Sequence, residues 1–177
     1  MQFAQDIIRY LDAHQEEFYS LSDEIWSTPE LFFREENSAA ALEKFLEERG
    51  FAVTRGVANL PTAFTATFGS QGPVIAVLGE FDALPELSQK AACEQKSPVI
   101  EGAPGHGCGH NALGAGSAAA AVAIAEIMRT HQLAGTVCYF GCPAEESGAG
   151  KEFLIEAGLL DSVDFALTWH PDTKNCI

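Results

Sequence analysis

Apolar side chains recur at helical spacing along the first fifty residues. They repeat every three or four positions up to residue 26, and Pro29 follows this run. A second run begins near Asn37 or Ser38 and stops at Gly50. This part of the chain is therefore predicted to be helical. The apolar positions are Ile7, Ile8, Leu11, Phe18, Leu21, Ile25 and Trp26 in the first run, and Ala41, Leu42, Phe45 and Leu46 in the second.

After residue 50 the pattern changes to shorter runs that alternate between strand and helix. The run 73–79 is continuously apolar, as in buried parallel strands. The alternation predicts one domain, 1–177, of the α/β class with a mostly parallel sheet flanked by helices. The predicted strands are 51–57, 62–68, 73–79, 135–141 and 163–169, and the predicted helices are 112–128 and 150–157.

Polar groups follow several of these predicted strands. The pairs Glu80/Asp82 and Glu145/Glu146, and His170, each lie at the carboxyl end of a strand, while Cys108 and His110 begin the helix 112–128. The segment 81–109 between them has no periodicity, and such long loops are usually functional. Because ligands of open α/β sheets bind at the carboxyl edge, we expect these four segments to converge there.

The charge of the chain restricts its partners. The 177 residues carry 10 Lys and Arg against 25 Asp and Glu, a formal net charge of −15. This charge argues against nucleic acid and anionic membrane surfaces. The five cysteines form no regular framework, and the N-terminus lacks the basic and apolar regions of a signal peptide. We therefore expect a cytoplasmic location, with free thiols.

The segment 105–111, Gly-His-Gly-Cys-Gly-His-Asn, is the first candidate for chemistry. Cys108 and His110 are two residues apart, so on an extended backbone their side chains point the same way and can face one metal ion. His106 lies beside them. The alternative interpretation is a flexible glycine-rich turn.

The pair Glu145–Glu146 follows a predicted strand between Pro143 and Gly148. Adjacent side chains project differently, so one carboxylate can bind a metal while its neighbour acts as the general base of a metal-assisted hydrolysis. Further glutamate pairs at 16–17, 35–36 and 47–48 belong to charged helical stretches. Those three pairs are interpreted as solvated helix faces.

Three further residues are candidates for the same site. His170 follows the last predicted strand and is interpreted as a ligand. Asp82 could accept a hydrogen bond from a ligand and fix its orientation. Glu80 points the same way by strand alternation, but its spacing assigns it no task.

A set of Cys108, His110 and Glu146 would accept zinc, manganese or cobalt. A cysteine enzyme with Cys108 as nucleophile beside His106 or His110 is a further interpretation.

Four ordered motifs resemble the metal-dependent amidohydrolases of the aminoacylase and carboxypeptidase family. The motifs are GEFDALP (79–85), GHGCGHN (105–111), GCPAEE (141–146) and TWHP (168–171). Within the family, the stretch 87–89, the insertion before His106 and the Trp-His-Pro ending most resemble the aminobenzoyl-glutamate hydrolase type. The resemblance covers the chain from its N-terminus to its last few residues.

The resemblance implies that Cys108, His110, Glu146 and His170 bind one or two metal ions, often manganese or zinc, and that Glu145 is the general base. It implies hydrolysis of an amide bond next to a carboxylate-bearing residue such as glutamate, in a small amide or dipeptide. Relatives that have a histidine two residues before the Asp82 position use it as a ligand. Glu80 stands there in this chain, so its role is open.

Members of this family are much longer than 177 residues. The resemblance therefore implies the N-terminal part of a di-metal catalytic domain, without the inserted smaller domain that helps dimerisation and grips the substrate carboxylate. Two interpretations follow: part of a hydrolase, in a homo- or hetero-oligomer, or a truncated and catalytically silent metal-binding domain. A sheet that lacks its later strands would expose an apolar edge and favour self-association.

Overall fold

The computed structural model describes residues 3–174, and each predicted helix and strand lies close to its predicted position. The predicted N-terminal helical run is divided into two helices at His14. A short helix after the fourth strand was not predicted. The helices are α1 Ala4–Ala13, α2 Gln15–Ser27, α3 Glu36–Glu47, α4 His110–His131, α5 Glu145–Gly148 and α6 Gly150–Glu156, and the strands are β1 Ala52–Arg55, β2 Phe64–Gly69, β3 Val74–Glu80, β4 Thr136–Cys142 and β5 Phe165–Leu167.

The five strands form one mixed sheet in the order β1-β2-β4-β3-β5. β3 pairs in parallel with β4 and with β5, whereas β1–β2 and β2–β4 are antiparallel. The prediction of a mostly parallel sheet is therefore wrong. The connection 56–63 between β1 and β2 is too short for a parallel crossover, so these strands add an antiparallel ribbon to the parallel core.

Both faces of the sheet are covered. Phe64, Val77 and Tyr139 project towards the helical layer of α2, α3 and α4, which forms the larger core. Ala76 and Phe140 project to the opposite face, where they pack with Leu154 of α6. Alternate residues of each strand therefore serve two cores, and the sheet is buried between them.

Helix α4 lies close against β3 because small residues form its contact face. A Cβ atom at Gly114 would be 2.8 Å from the backbone oxygen of Glu80, and the Ser117 hydroxyl donates to the backbone oxygen of Leu78 at 2.8 Å. Among the described helices, α4 is long and apolar enough to cross a membrane, but 67% of its apolar window is buried within the fold. This burial is that of a core helix, and it brings His110 directly to the end of β3.

Candidate metal centre

The long loop 81–109 is closed at its base, so that its two ends lie side by side. Leu84 and Gly105 exchange backbone hydrogen bonds of 3.0 Å in both directions. A Cβ atom at Gly105 would be 2.0 Å from the backbone oxygen of Leu87, so only glycine fits there. Gly109 has a φ of 78° and immediately precedes α4. These constraints place Asp82, Cys108 and His110 together.

His110 is fully buried and fixed by Asp82. Its Nδ1 lies 2.9 Å from Asp82 Oδ1, and Asp82 Oδ2 accepts the backbone N–H of Glu146 at 3.0 Å. Nδ1 therefore donates to a carboxylate, and Nε2 is left to face the site. The same aspartate joins the end of β3 to α4 and to α5, which carries Glu145 and Glu146.

Three buried polar atoms around His110 have no hydrogen-bond partner among the described residues: Glu80 Oε2, His110 Nε2 and Glu146 Oε1. Glu80 Oε2 lies 3.1 Å and Glu146 Oε1 3.8 Å from His110 Nε2. Buried polar atoms are normally satisfied, and donor atoms at this separation are spaced like ligands of one ion. The donors present therefore fit a divalent metal.

Cys108 and His170 complete a second group of donors with His110. Cys108 Sγ is 3.2 Å from His170 Nε2, and the rings of His110 and His170 are nearly perpendicular with centroids 5.6 Å apart. His170 Nδ1 lies 2.9 Å from the backbone oxygen of Pro171, which leaves Nε2 facing Cys108. The donor atoms of Cys108, His110 and His170 lie within 4.8 Å of one another.

Glu145 and Glu146 occupy different environments, although they are neighbours. Glu146 is partly buried and presents Oε1 to His110, whereas Glu145 is exposed. Donor atoms of Glu145, Glu80 and His110 nonetheless lie within 4.8 Å of one another. Ala144, with a φ of 56°, turns the chain so that the two carboxylates leave the backbone in different directions. The structure thus brings all six predicted site residues to one sheet edge, while their individual roles stay predictions.

The electrostatics of the centre are dominated by carboxylates. Burial alone would lower the pKa of His110, but the hydrogen bond to Asp82 and the charges of Asp82, Glu80 and Glu146 outweigh it and raise the pKa. Burial, followed by the nearby glutamates, raises the pKa of the Cys108 thiol to about 12. A thiolate at Cys108 therefore requires a cation beside it, which disfavours the interpretation of Cys108 as a free nucleophile.

His106 lies behind the centre, outside both groups of donors. It is 5% exposed, and its Nε2 lies 3.2 Å from the backbone oxygen of Ile25. Burial lowers the pKa of His106 to about 4, so the ring is neutral at physiological pH. His106 therefore joins the loop to α2.

Glu35, interpreted from the sequence as part of a solvated face, is fully buried. Its carboxylate accepts the backbone N–H groups of Phe33 and Ala144 and the hydroxyl of Thr62, each at 2.9 Å. Burial raises the pKa of Glu35, although these hydrogen bonds act in the opposite direction. The interpretation was wrong because spacing in a charged stretch does not show which acid turns inward.

Lys151 was also missed by sequence reasoning. It lies on α6, and its Nζ forms an ion pair with Glu80 Oε1. A signal was present: Lys151 is the only Lys or Arg between Arg129 and Lys174, and it follows the glutamate pair closely in sequence.

Comparison with known proteins gives consistent matches. The model of peptidase family M20/M25/M40 matches residues 76–175. The chain is 48% identical to a subunit of the p-aminobenzoyl-glutamate hydrolase of Escherichia coli (strain K12), over 95% of this chain and 36% of that protein. It is 33% identical to the Xaa-Arg dipeptidase of Mus musculus, over 93% of this chain and 37% of that protein. The chain thus spans little more than a third of these relatives.

Solved structures share the fold. A dinuclear metal-binding peptidase of the M20 family from Bacillus subtilis superposes with a TM-score of 0.74 at 28% identity, over 91% of this chain and 44% of that one. An aminobenzoyl-glutamate utilization protein from Klebsiella pneumoniae superposes with a TM-score of 0.67 at 17% identity, over 94% of this chain and 46% of that one. At that identity the second match concerns the fold alone.

Proposed function

The chain belongs to peptidase family M20/M25/M40, and on that basis we propose that it carries the metal centre of an amidohydrolase. The proposed substrate is a small amide or dipeptide whose scissile bond adjoins a carboxylate-bearing residue, as in aminobenzoyl-glutamate or an N-acyl amino acid. The observation that carries the proposal is the convergence of three buried, unpartnered donor atoms, from Glu80, His110 and Glu146.

In this proposal Cys108, His110, Glu146 and His170 hold one or two divalent ions, Mn²⁺ or Zn²⁺. The bound metal supplies Lewis-acid polarisation of the scissile carbonyl. Support for this ligand set comes from the mutual proximity of Cys108, His110 and His170 donors and from the 3.8 Å between Glu146 Oε1 and His110 Nε2. Its sulfur, nitrogen and oxygen donors suit either metal.

Glu145 is the proposed general base. It takes a proton from the attacking water as the oxygen bonds to the carbonyl carbon, and it returns that proton to the amine nitrogen as the C–N bond breaks. Its exposed position gives it access to substrate and water. Asp82 fixes the orientation of His110 by accepting the Nδ1 hydrogen, and so keeps Nε2 directed at the site.

Hydrolysis of aminobenzoyl-glutamate and N-acyl amino acids by the purified chain, with added Mn²⁺ or Zn²⁺, tests the proposal. Glu145→Gln should lower kcat by about 10²- to 10⁴-fold and leave metal binding intact. Glu152→Gln, which changes an exposed acid on α6, is the matched control and should leave kcat unchanged. Full activity of Glu145→Gln would contradict the role of the base.

Metal binding and turnover are measured separately because the chain spans 36% of the Escherichia coli relative. Metal binding without turnover would support the silent metal-binding domain instead. Activity that resists chelators but is lost on alkylation would support Cys108 as a nucleophile.

We also propose a cytoplasmic location and a homo- or hetero-oligomer. The free thiols of Cys93, Cys108, Cys138 and Cys142 support the former, and the relative that is named as one subunit of a hydrolase supports the latter.

A further inference from the structure

Glu80, the last residue of β3, is a buried carboxylate whose two oxygens have different surroundings. Oε1 forms an ion pair with Nζ of Lys151. Oε2 has no hydrogen-bond partner among the described residues, although the side chain is only 6% exposed. Burying a carboxylate oxygen without a partner is costly, so a cation beside Oε2 would stabilise it.

A buried neighbour of Oε2, His110 Nε2, also lacks a hydrogen-bond partner among the described residues. His110 Nε2 lies 3.1 Å away, but the two atoms are not aligned as a hydrogen bond. Because Nδ1 of the same ring is held by Asp82, Nε2 is the ring atom left to face Glu80 Oε2. Two atoms at this distance that share no hydrogen bond are spaced like two donors of one metal ion. Glu146 Oε1, also unpartnered, faces the same nitrogen at 3.8 Å.

Lys151 determines how Glu80 can bind such a cation. Its ammonium group occupies Oε1 and leaves Oε2 as the single free donor. Lys151 is held in place because α6 follows α5 directly and packs tightly against the end of β4: a Cβ atom at Gly150 would be 1.9 Å from the backbone oxygen of Pro143. The ammonium also offsets part of the negative charge that Glu80 adds to the centre.

We propose that Glu80 is a further ligand of the metal ion bound by His110 and Glu146, and that Lys151 is the positioning residue that keeps it monodentate. This inference rests on the proposed metal centre. It adds an anionic oxygen donor in one group of donors around His110, while Cys108 and His170 supply sulfur and nitrogen in the other group. Since carboxylate oxygen suits Mn²⁺ better than thiolate does, Glu80 favours Mn²⁺ at its side of the centre.

The test is titration of the metal-free chain with Mn²⁺, followed by electron paramagnetic resonance, and with Zn²⁺, followed by calorimetry. Glu80→Gln keeps the shape of the side chain and removes its charge. It should lower Mn²⁺ affinity at least about 10-fold, and lower Zn²⁺ affinity less. Lys151→Met frees Oε1 for the ion and removes a positive charge beside it, so it should raise Mn²⁺ affinity, whereas Lys151→Arg should keep the affinity close to that of the wild type. The matched control is Glu152→Gln, next to Lys151, which should bind both ions as the wild type does.

Thermal melting in the presence of a chelator verifies that each variant folds. Unchanged Mn²⁺ affinity of a folded Glu80→Gln would overturn the inference and leave the proposed function standing. A wild-type chain that binds neither ion would overturn both. If Glu80→Gln does not fold, Lys151→Met decides: a rise in Mn²⁺ affinity that Lys151→Arg does not show supports the inference, and unchanged affinity overturns it.

Discussion

The inner half of the metal centre, formed by Glu80, Asp82 and His110, differs sharply from the outer half, formed by Cys108, Glu145 and His170. The inner residues are buried at the junction of β3 and α4, and each is fixed by a neighbour on another element. In the outer half, His170 and Glu145 are exposed, and His170 follows an edge strand whose residues are all exposed.

The difference separates two ways of holding a donor atom. In the inner half, core packing and hydrogen bonds determine the geometry before any ligand binds. In the outer half, the position of His170 depends mainly on three-residue strand β5 and on the hydrogen bond from the Trp169 indole to Ser117, 3.2 Å long. Substitutions in the inner half should therefore affect both folding and metal binding, and those of Cys108 and His170 in the outer half only metal binding.

The largest expected effects on metal affinity and stability come from replacing one histidine in each half of the centre by alanine. His110→Ala should lower metal affinity by more than about 100-fold and, by leaving Asp82 buried without its partner, lower the free energy of unfolding by about 3 kcal/mol. His170→Ala should also lower metal affinity but change the free energy of unfolding by no more than about 0.5 kcal/mol. Denaturant unfolding in a chelator and metal titration measure both. Equal losses of stability would contradict the comparison.

The next effect is a loss of stability in acid, and it comes from His106, which lies behind the inner half. His106 has a native pKa of about 4 because it is buried, whereas an unfolded histidine titrates near about 6.5. Between these values the unfolded chain binds a proton that the native chain does not. Stability is therefore fully present above pH ~6.5 and falls by about 3 kcal/mol as the pH reaches ~4. His106→Gln should remove this part of the pH dependence of the unfolding free energy. His131→Gln, which changes the last residue of α4, is the control and should retain that pH dependence.

A smaller effect on stability is expected from replacing Glu35, whose carboxylate holds the backbone of Ala144 just before Glu145. Glu35→Ala leaves the N–H groups of Phe33 and Ala144 without an acceptor, so it should lower the free energy of unfolding by about 2 kcal/mol. It should also lower kcat, because Ala144 immediately precedes Glu145. Glu35→Gln keeps one oxygen for these N–H groups and should be less damaging. Calorimetric melting and steady-state kinetics compare the two; equal damage would mean that the charge, and not the acceptor, matters.

The smallest effect on stability is expected at the edge strand of the outer half. Phe165 and Leu167 are 64% and 53% exposed, so an apolar edge is available for association. The chain should self-associate in light scattering, and Leu167→Lys should reduce this while changing the unfolding free energy by no more than about 0.5 kcal/mol. Ile8→Lys, an exposed apolar residue on α1, is the control. A monodisperse wild-type monomer would contradict the prediction.

Much of the fold could be predicted because its strands and helices have distinct periodicities. The apolar run 73–79 and the small residues of 112–128 predict β3 and α4 at nearly their observed positions. The position of β4 between β2 and β3 could not be predicted, since periodicity describes each segment alone and not its neighbours. For this reason the antiparallel half of the sheet was missed.

The candidate site was predictable where chemistry and strand ends coincide. Cys108, His110, Glu145, Glu146 and His170 all follow or precede an apolar run, and the rule that sites form at the carboxyl edge brings them together. Glu35 and Lys151 act through contacts between segments distant in sequence. Such residues become visible only when the packing of α3 and α6 against the sheet is known.

The connection between α2 and α3 has a consequence for motion. It accepts the backbone N–H of Ala83 at the oxygen of Glu30, 2.8 Å away, and that of Ala144 at the Glu35 carboxylate. The two loops that follow β3 and β4 are thus tied to one segment, and opening either loop would break its bond to that segment. In hydrogen exchange, the amides of Ala83 and Ala144 should be protected together, as parts of one cooperative unit with α3. The two loops that follow β3 and β4 would then move as a single body. Adjustment to a substrate would be confined to the strand end that carries His170.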